Sequence, residues 1–229
     1  MRRKLRLSIF VALLSLLLGA IPANATESKA VISLPSFDLE SDYSANAVTV
    51  IYEENFAENS FEARVLDRES GEALEVVREI PDLPLEVAKS MRKNPLLTRA
   101  QRTYDTTLQK DVVLVSSKEG SVVATVWTRV QVTSDHSWAQ IEKVYSCGHG
   151  AGGSGGYTLN TYGTYNGTSK FPTVSLKIDF NGVIEVSSTN SAGFSLDVLK
   201  NLGFSVNSSS SSNWYARKSY NSTTTFKVM

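Results

Sequence analysis

Residues 121–133, SVVATVWTRVQVT, put Val122, Ala124, Val126, Val130 and Val132 on one face of an extended chain and Trp127, Arg129 and Gln131 on the other. A period of two belongs to a strand with one buried face, and it excludes a helix, whose apolar stripe repeats every 3.6 residues. The pattern recurs at residues 171–188, where Val174, Leu176 and Ile178 alternate with Ser175, Lys177 and Asp179. Here Asn181-Gly182 is a hairpin signal, and a three-residue loop over 180–182 pairs Ile178 with Ile184 and keeps Glu185 off the apolar face. Nearer the amino end, Val48, Val50 and Tyr52 mark another strand. A hairpin is expected around residues 68–71, with Ala63 opposite Val76 and Val65 opposite Leu74.

Helical patterning is confined to two short stretches. Residues 81–95 offer Asp82 as a cap, cationic Lys89, Arg92 and Lys93 at the far end, and Asn94-Pro95 as a stop. Residues 195–203 offer Ser195 as a cap, a Leu196, Leu199, Leu202 stripe and Gly203 to end it. The serine run 208–212 reads as a flexible connection, and the residues after it as one or two closing strands. Many short strands and two brief helices predict a mainly β fold. The expected form is an antiparallel β-sandwich or barrel over about 101–229, preceded by a small acidic α+β region over 26–100.

The first 25 residues stand apart. Arg2, Arg3, Lys4 and Arg6 precede an apolar run over 7–21, then Pro22 and the small-residue site Ala23-Asn24-Ala25. That order is a secretory signal peptide, predicted to be cleaved so that the mature chain starts at Thr26. Its apolar run, about 15 residues, is short of the roughly 20 that span a bilayer. No membrane span is expected after cleavage, and the protein is expected to be secreted and extracellular, in the cysteine-poor style of a bacterial exoprotein. Cys147 is the only cysteine, so packing and not an internal disulfide must hold the fold.

Charge divides the chain near residue 100. Residues 26–100 hold 15 acidic and 8 basic side chains, net −7, and residues 101–229 hold 8 acidic and 11 basic, net +3. No dense basic patch emerges, so nucleic acid is not an expected partner. The split instead admits an acidic segment that restrains a basic effector half, with Arg99 and Arg102 at the boundary as processing sites.

One stretch looks like chemistry: SCGHGAGGSGGY, residues 146–157, with the single cysteine, one of the two histidines and six glycines. It satisfies G-x-G-x-x-G, but no helix follows to supply the positive end that holds a phosphate. It also satisfies G-x-S-x-G around Ser154, yet both His136 and His149 precede that serine and the strand-turn-helix context is missing. Cys147 and His149 point to one side of an extended segment and are the catalytic candidates, as thiol and base of an extracellular hydrolase. Their closeness on a glycine-rich segment lacks preorganisation, so the stretch reads as a loop between strands. Cys147, His149 and His136 match no zinc spacing, and neither a metal nor a cofactor is expected.

Aromatic residues supply the other candidate site. Tyr157, Tyr162, Tyr165, Trp214 and Tyr215, with Tyr220 nearby, stand among Asn, Ser, Thr and Gly. Rings with polar neighbours are what sheet faces use to bind sugars or proteins. The leading expectation is therefore a non-catalytic binding module for extracellular protein or glycan. A secreted toxin or antimicrobial protein with an acidic restraining segment comes second, and a hydrolase third.

Overall fold

A computed structural model describes residues 28–93, 101–135, 138–153, 155–189, 193–210 and 213–229. The expected signal peptide, Arg99, His136 and Ser154 lie outside the described residues. In chain order the elements are β1 (Lys29–Ser33), β2 (Asp38–Ser44), β3 (Val48–Asn55), β4 (Ser60–Asp67), β5 (Ala73–Pro81) and α1 (Leu85–Lys93). Next come β6 (Arg102–Ser116), β7 (Ser121–Ser134), β8 (Ala139–Gly152), β9 (Thr158–Asn166), β10 (Ser175–Ser187), α2 (Leu196–Asn201), β11 (Ser205–Ser210) and β12 (Asn213–Lys227).

The protein is mainly β, and its strand ladders are antiparallel. β3 to β8 form a six-stranded sheet in sequence order, β11-β12-β10-β9 form a four-stranded sheet, and β1-β2 stand as a pair. Strands adjacent in sequence pair readily because a tight turn suffices to join antiparallel neighbours. The barrel alternative is corrected: the six-stranded sheet ends at β3 and β8, the four-stranded one at β11 and β9, and no ladder closes either among the described residues.

All three sheets contribute to one apolar interior. Leu108, Val126, Val130 and Val132 come from the large sheet, Leu176, Ile178, Phe180 and Phe226 from the second, Ile32 and Leu39 from β1 and β2, and Leu34 from the turn that joins them. Each fully buried side chain of this size stabilises the fold by about 1.5–3 kcal/mol relative to exposure. A second cluster, with Val122, Ile184, Val186, Leu199 and Ala216, lies where α2 packs. Ser195 caps α2 as expected, its hydroxyl accepting from the Val198 amide at 3.4 Å.

Several expectations change in the structure. The boundary near residue 100 does not divide the sheet, because β5 and β6 pair from Val77↔Lys110 to Pro81↔Thr106. Net charge describes the surface and says nothing about which strands pair. The hairpin at Asn181-Gly182 is absent, since β10 runs straight through both residues. Positions 176, 178, 180, 182, 184 and 186 are all buried. A parity that never breaks is the mark of one long strand, and it outweighs the turn propensity of Asn-Gly.

The expected turn at 68–71 does form, but the pairing slips by one, with Ala63 opposite Val77 and Val65 opposite Glu75. That slip turns Glu75, Val77 and Glu79 inward. α1 is capped by Asn59, whose Oδ1 accepts from the Leu85 amide at 2.7 Å, while Asp82 pairs with Arg129. Within the serine run, residues 208–210 belong to β11, which pairs with one long β12, while 211 and 212 lie outside the described residues.

The glycine-rich stretch is the main correction. Residues up to Gly152 belong to β8 and pair with β7, Cys147 opposite Thr128 and His149 opposite Val126. Gly148 is required by a close approach: a Cβ there would overlap Cζ2 of Trp127 on the neighbouring strand. The indole lies against the backbone of β8. Glycine here makes room for a ring, not for a phosphate.

Candidate functional site

The tyrosine-bearing residues of the sequence divide between two environments. Along β10 the odd-numbered side chains face away from the core, and their β12 partners share that face: Asp179 with Thr223, Asn181 with Asn221, Glu185 with Arg217, Ser187 with Tyr215. On the other side β9 places Tyr165 opposite Asp179 and Gly163 opposite Asn181. The ladder shifts between Asn181 and Gly182, so Tyr162 is the extra residue of a bulge. Tyr162 is 72% exposed, Tyr165 58% and Tyr215 40%.

Two of these rings are held in place. A Cβ on Gly163 would overlap the Tyr165 ring and hydroxyl, so that ring lies across the backbone of its own strand. Tyr215 carries the Arg217 guanidinium 4.9 Å from its ring centre, and Arg217 Nε donates to Glu185 Oε2 at 2.7 Å. The Glu185 hydrogen bond and charge hold the Arg217 guanidinium above its ordinary value. Asp179 accepts from the Thr223 hydroxyl at 2.5 Å and sits 3.1 Å from Lys177 Nζ. Those contacts, the Thr223 bond foremost, keep its carboxyl below the usual aspartate range. The face therefore combines exposed rings with fixed donors and acceptors, which is the chemistry for gripping a hydroxyl-rich or peptide ligand.

Tyr157 and Trp214 do not join it. Tyr157 is 6% exposed, and its hydroxyl accepts from the Val123 amide at 3.0 Å while facing the carbonyls of Val123 and Gly152. It ties the β8–β9 connection to the start of β7 and offers no surface to a ligand. Trp214 is half-buried and packs on the second apolar cluster. Tyr220 turns inward as well, opposite Gly182.

Cys147 and His149 also look inward, on one side of β8 as their spacing requires. The imidazole bridges strands: Nδ1 lies 2.6 Å from the Thr164 hydroxyl on β9, and Nε2 lies 2.7 Å from the Tyr220 hydroxyl on β12. Phe180 and Tyr220 pack on the ring at 5.1 and 5.8 Å between centres. Burial lowers the His149 pKa, raises that of the Cys147 thiol and pushes Tyr220 up to about 12. The thiol donates to the Thr164 carbonyl at 3.7 Å. A nucleophilic cysteine needs a neighbour that favours thiolate, and here burial favours the thiol. Among the described residues both imidazole nitrogens face hydroxyls, so His149 forms a hydrogen-bonded seam between the two sheets.

The sequence reading missed the buried charges. Lys110 Nζ sits 2.7 Å from Glu75 Oε1 and 2.8 Å from Asp42 Oδ2, with the Ser41 hydroxyl donating to Glu75 at 2.6 Å. Burial works against the Lys110 charge, yet Glu75 and Asp42 outweigh it and hold the ammonium above the ordinary lysine value. Glu79 is fully buried, accepts from the Ser36 amide and the Thr106 hydroxyl at 3.2 Å each, and is raised by desolvation. The available signal was that Glu75 and Glu79 share parity with Val77.

On the outer face of the large sheet an ionic ladder joins Arg64, Glu62, Arg78 and Asp111, at 2.5, 2.5 and 3.1 Å in turn. No group of three or more His, Cys, Asp or Glu positioned to hold a metal occurs among the described residues, and no described helix is long and apolar enough to cross a membrane. No protein-family model, curated protein or solved structure matches the chain.

Proposed function

We propose that the chain is an exported, non-catalytic binding module of sandwich type that takes extracellular glycan on the outer face of its four-stranded sheet. The observation that carries this reading is the Tyr165 ring, laid across Gly163 and more than half exposed, with Tyr162 on the same strand. Such a ring offers a flat apolar surface to the C–H face of a pyranose, while Asp179, Asn181 and Arg217 stand ready to bond its hydroxyls. A protein ligand is the alternative occupant of the same face.

In this reading residues 26–100 are retained, not removed as a restraining segment. Their loss would strip β3, β4 and β5 from the large sheet and leave the edge of β6 bare, a liability for any secreted protein. Export rests on the basic, apolar and small-residue order of residues 1–25.

The test is retention of the purified protein on a panel of insoluble polysaccharides, compared with Tyr162→Ala and Tyr165→Ala. Retention lost in both variants, with unchanged circular dichroism, supports the reading. Retention that survives both changes, or retention on none of the polysaccharides, removes glycan binding at this face. Intact mass of protein recovered from the medium of the producing cell adds a second check: a chain starting at Thr26 agrees, and one starting near Arg102 restores the restraining segment.

A further inference from the structure

Among the described residues the two larger sheets end on β3, β8, β9 and β11, and three of these edges are blunted. β8 carries two register shifts against β7, and the segment after β9 covers its start. There the Ile141 amide donates to the Thr173 carbonyl at 2.7 Å, and the Thr173 amide donates back at 2.9 Å. β9 is bulged at Tyr162 and meets β8 through the Thr164 contacts of Cys147 and His149. β11 is six residues long, with a shift between Ser208 and Ser210. Bulges, short lengths and covering segments are how a folded protein stops an edge from pairing with another chain.

β3 has none of these devices. It pairs with β4 over eight residues, from Val48↔Asp67 to Asn55↔Ser60, with no register shift. It holds no proline and no lysine, and Thr49 to Tyr52 is an unbroken run of β-branched and aromatic residues. The Arg68 amide donates to the Ala47 carbonyl at 3.0 Å, which fixes the parity of the ladder. The backbone groups of Thr49, Ile51 and Glu53 therefore turn toward β4, and those of Val50 and Tyr52 turn outward. At one end the Arg68 guanidinium donates to the Val48 carbonyl at 2.9 Å and closes the free stretch. Ile51 and Tyr52 are each 45% exposed.

The open stretch, Thr49-Val50-Ile51-Tyr52-Glu53, complements itself when reversed. With Ile51 opposite its own copy, Val50 meets Tyr52 and Glu53 meets Thr49, so apolar faces apolar and no acid faces an acid. A register centred on Glu53 would instead set two carboxylates opposite each other. The acids are also balanced within the chain, Glu53 lying 3.7 Å from Arg64 and Glu54 pairing with Lys89 on α1. We propose that β3 is a homodimer interface, joining two copies antiparallel about a two-fold axis at Ile51, so that their six-stranded sheets become one. Val50 of each copy exchanges backbone hydrogen bonds with Tyr52 of the other. The two Ile51 side chains meet at a non-hydrogen-bonded position, where facing side chains come closest. The same patch serves both copies, as a two-fold interface requires. The interface is independent of glycan binding, which uses the four-stranded sheet.

The test is sedimentation velocity of the purified protein across a range of concentrations, with hydrogen exchange at the β3 amides. A monomer–dimer equilibrium is expected, and exchange at Val50 and Tyr52 should slow as the dimer forms. Ile51→Lys sets two ammonium groups directly opposite and should abolish the dimer. Thr49→Lys should tighten the dimer about tenfold, because the two-fold axis places the new lysine opposite Glu53 twice. Thr49→Glu should weaken it by a similar factor, and it covers the case in which Ile51→Lys fails to fold. The opposite signs at residue 49 identify both the register and the occupant, since they depend on Glu53 of a second copy. Tyr165→Ala should leave the dimer unchanged, which separates it from the glycan face. A monomer at every concentration overturns the proposal. Fast exchange at Val50 and Tyr52 would then mean a bare edge, and slow exchange an edge covered by another segment of the same chain. A dimer that Ile51→Lys and both Thr49 variants leave unchanged overturns it as well.

Discussion

At the α2 end of the molecule the interior is apolar, with Val122, Ile184, Val186, Leu199 and Ala216 packed together, whereas beneath β1 and β2 it also holds Glu75, Glu79 and Lys110. The two ends achieve cohesion differently. Apolar contact is non-directional, so the α2 end tolerates small shifts of its neighbours. A buried ion pair is intolerant, because displacing either partner strands a charge in a poor solvent. Asp42 and Ser41 bind Lys110 and Glu75, so a one-residue slip of β2 would lose both contacts at once. The charged end fixes registration, and the apolar end supplies stability through area.

The largest expected effect is at the apolar end. Ile184→Lys places an unpaired ammonium among fully buried neighbours and should cost at least about 4 kcal/mol, or prevent folding. Glu185→Lys, one residue along and facing out against Arg217, should stay within about 1 kcal/mol. Urea denaturation of both variants measures the contrast, and equal tolerance would mean the sheet is not one-sided.

At the charged end, Lys110→Met strands Glu75 and should cost about 3–5 kcal/mol. Adding Glu75→Leu should recover much of that loss, since an apolar pair of similar volume replaces two desolvated ions. A double variant no better than the single one would show that the pair itself stabilises the fold.

Between the two ends lies the His149 seam. Tyr220→Phe removes the hydroxyl facing Nε2 and leaves a buried ring nitrogen unpaired, an expected loss of about 1–3 kcal/mol by thermal or urea unfolding. His149 has its folded pKa depressed by burial below the ordinary 6.5, so the unfolded chain binds the proton more readily. Its contribution is therefore complete above pH 6.5 and is lost as pH falls from there toward the folded value, by at most about 1.4 kcal/mol per pH unit. Glu79, raised by burial, works in the opposite sense and gains stability as pH falls through its folded value. In His149→Gln the stability lost just below pH 6.5 should largely disappear.

The smallest change is expected of Cys147→Ser. A hydroxyl can still donate to the Thr164 carbonyl, so stability should move by less than about 1 kcal/mol and any binding activity should persist. Loss of activity in a folded Cys147→Ser protein would return the thiol to consideration.

What the sequence by itself determined is the local periodicity. Val122 through Val132 sit where their alternation places them, α2 starts at its Ser195 cap, and antiparallel strands dominate throughout. These features depend on neighbours two to four residues away, so a linear reading reaches them. Tertiary structure decided the rest. Whether Val65 meets Leu74 or Glu75 turns on a bulge and on Lys110 waiting across the sheet, a partner 35 residues further along. Why Gly148 is a glycine depends on Trp127, and why Tyr165 lies flat depends on a glycine two residues before it. The Cys147 and His149 pair looks reactive in one dimension. It becomes a buried seam once Thr164 and Tyr220 arrive from other strands, because burial and hydrogen bonding, not spacing, set the reactivity of a thiol and an imidazole.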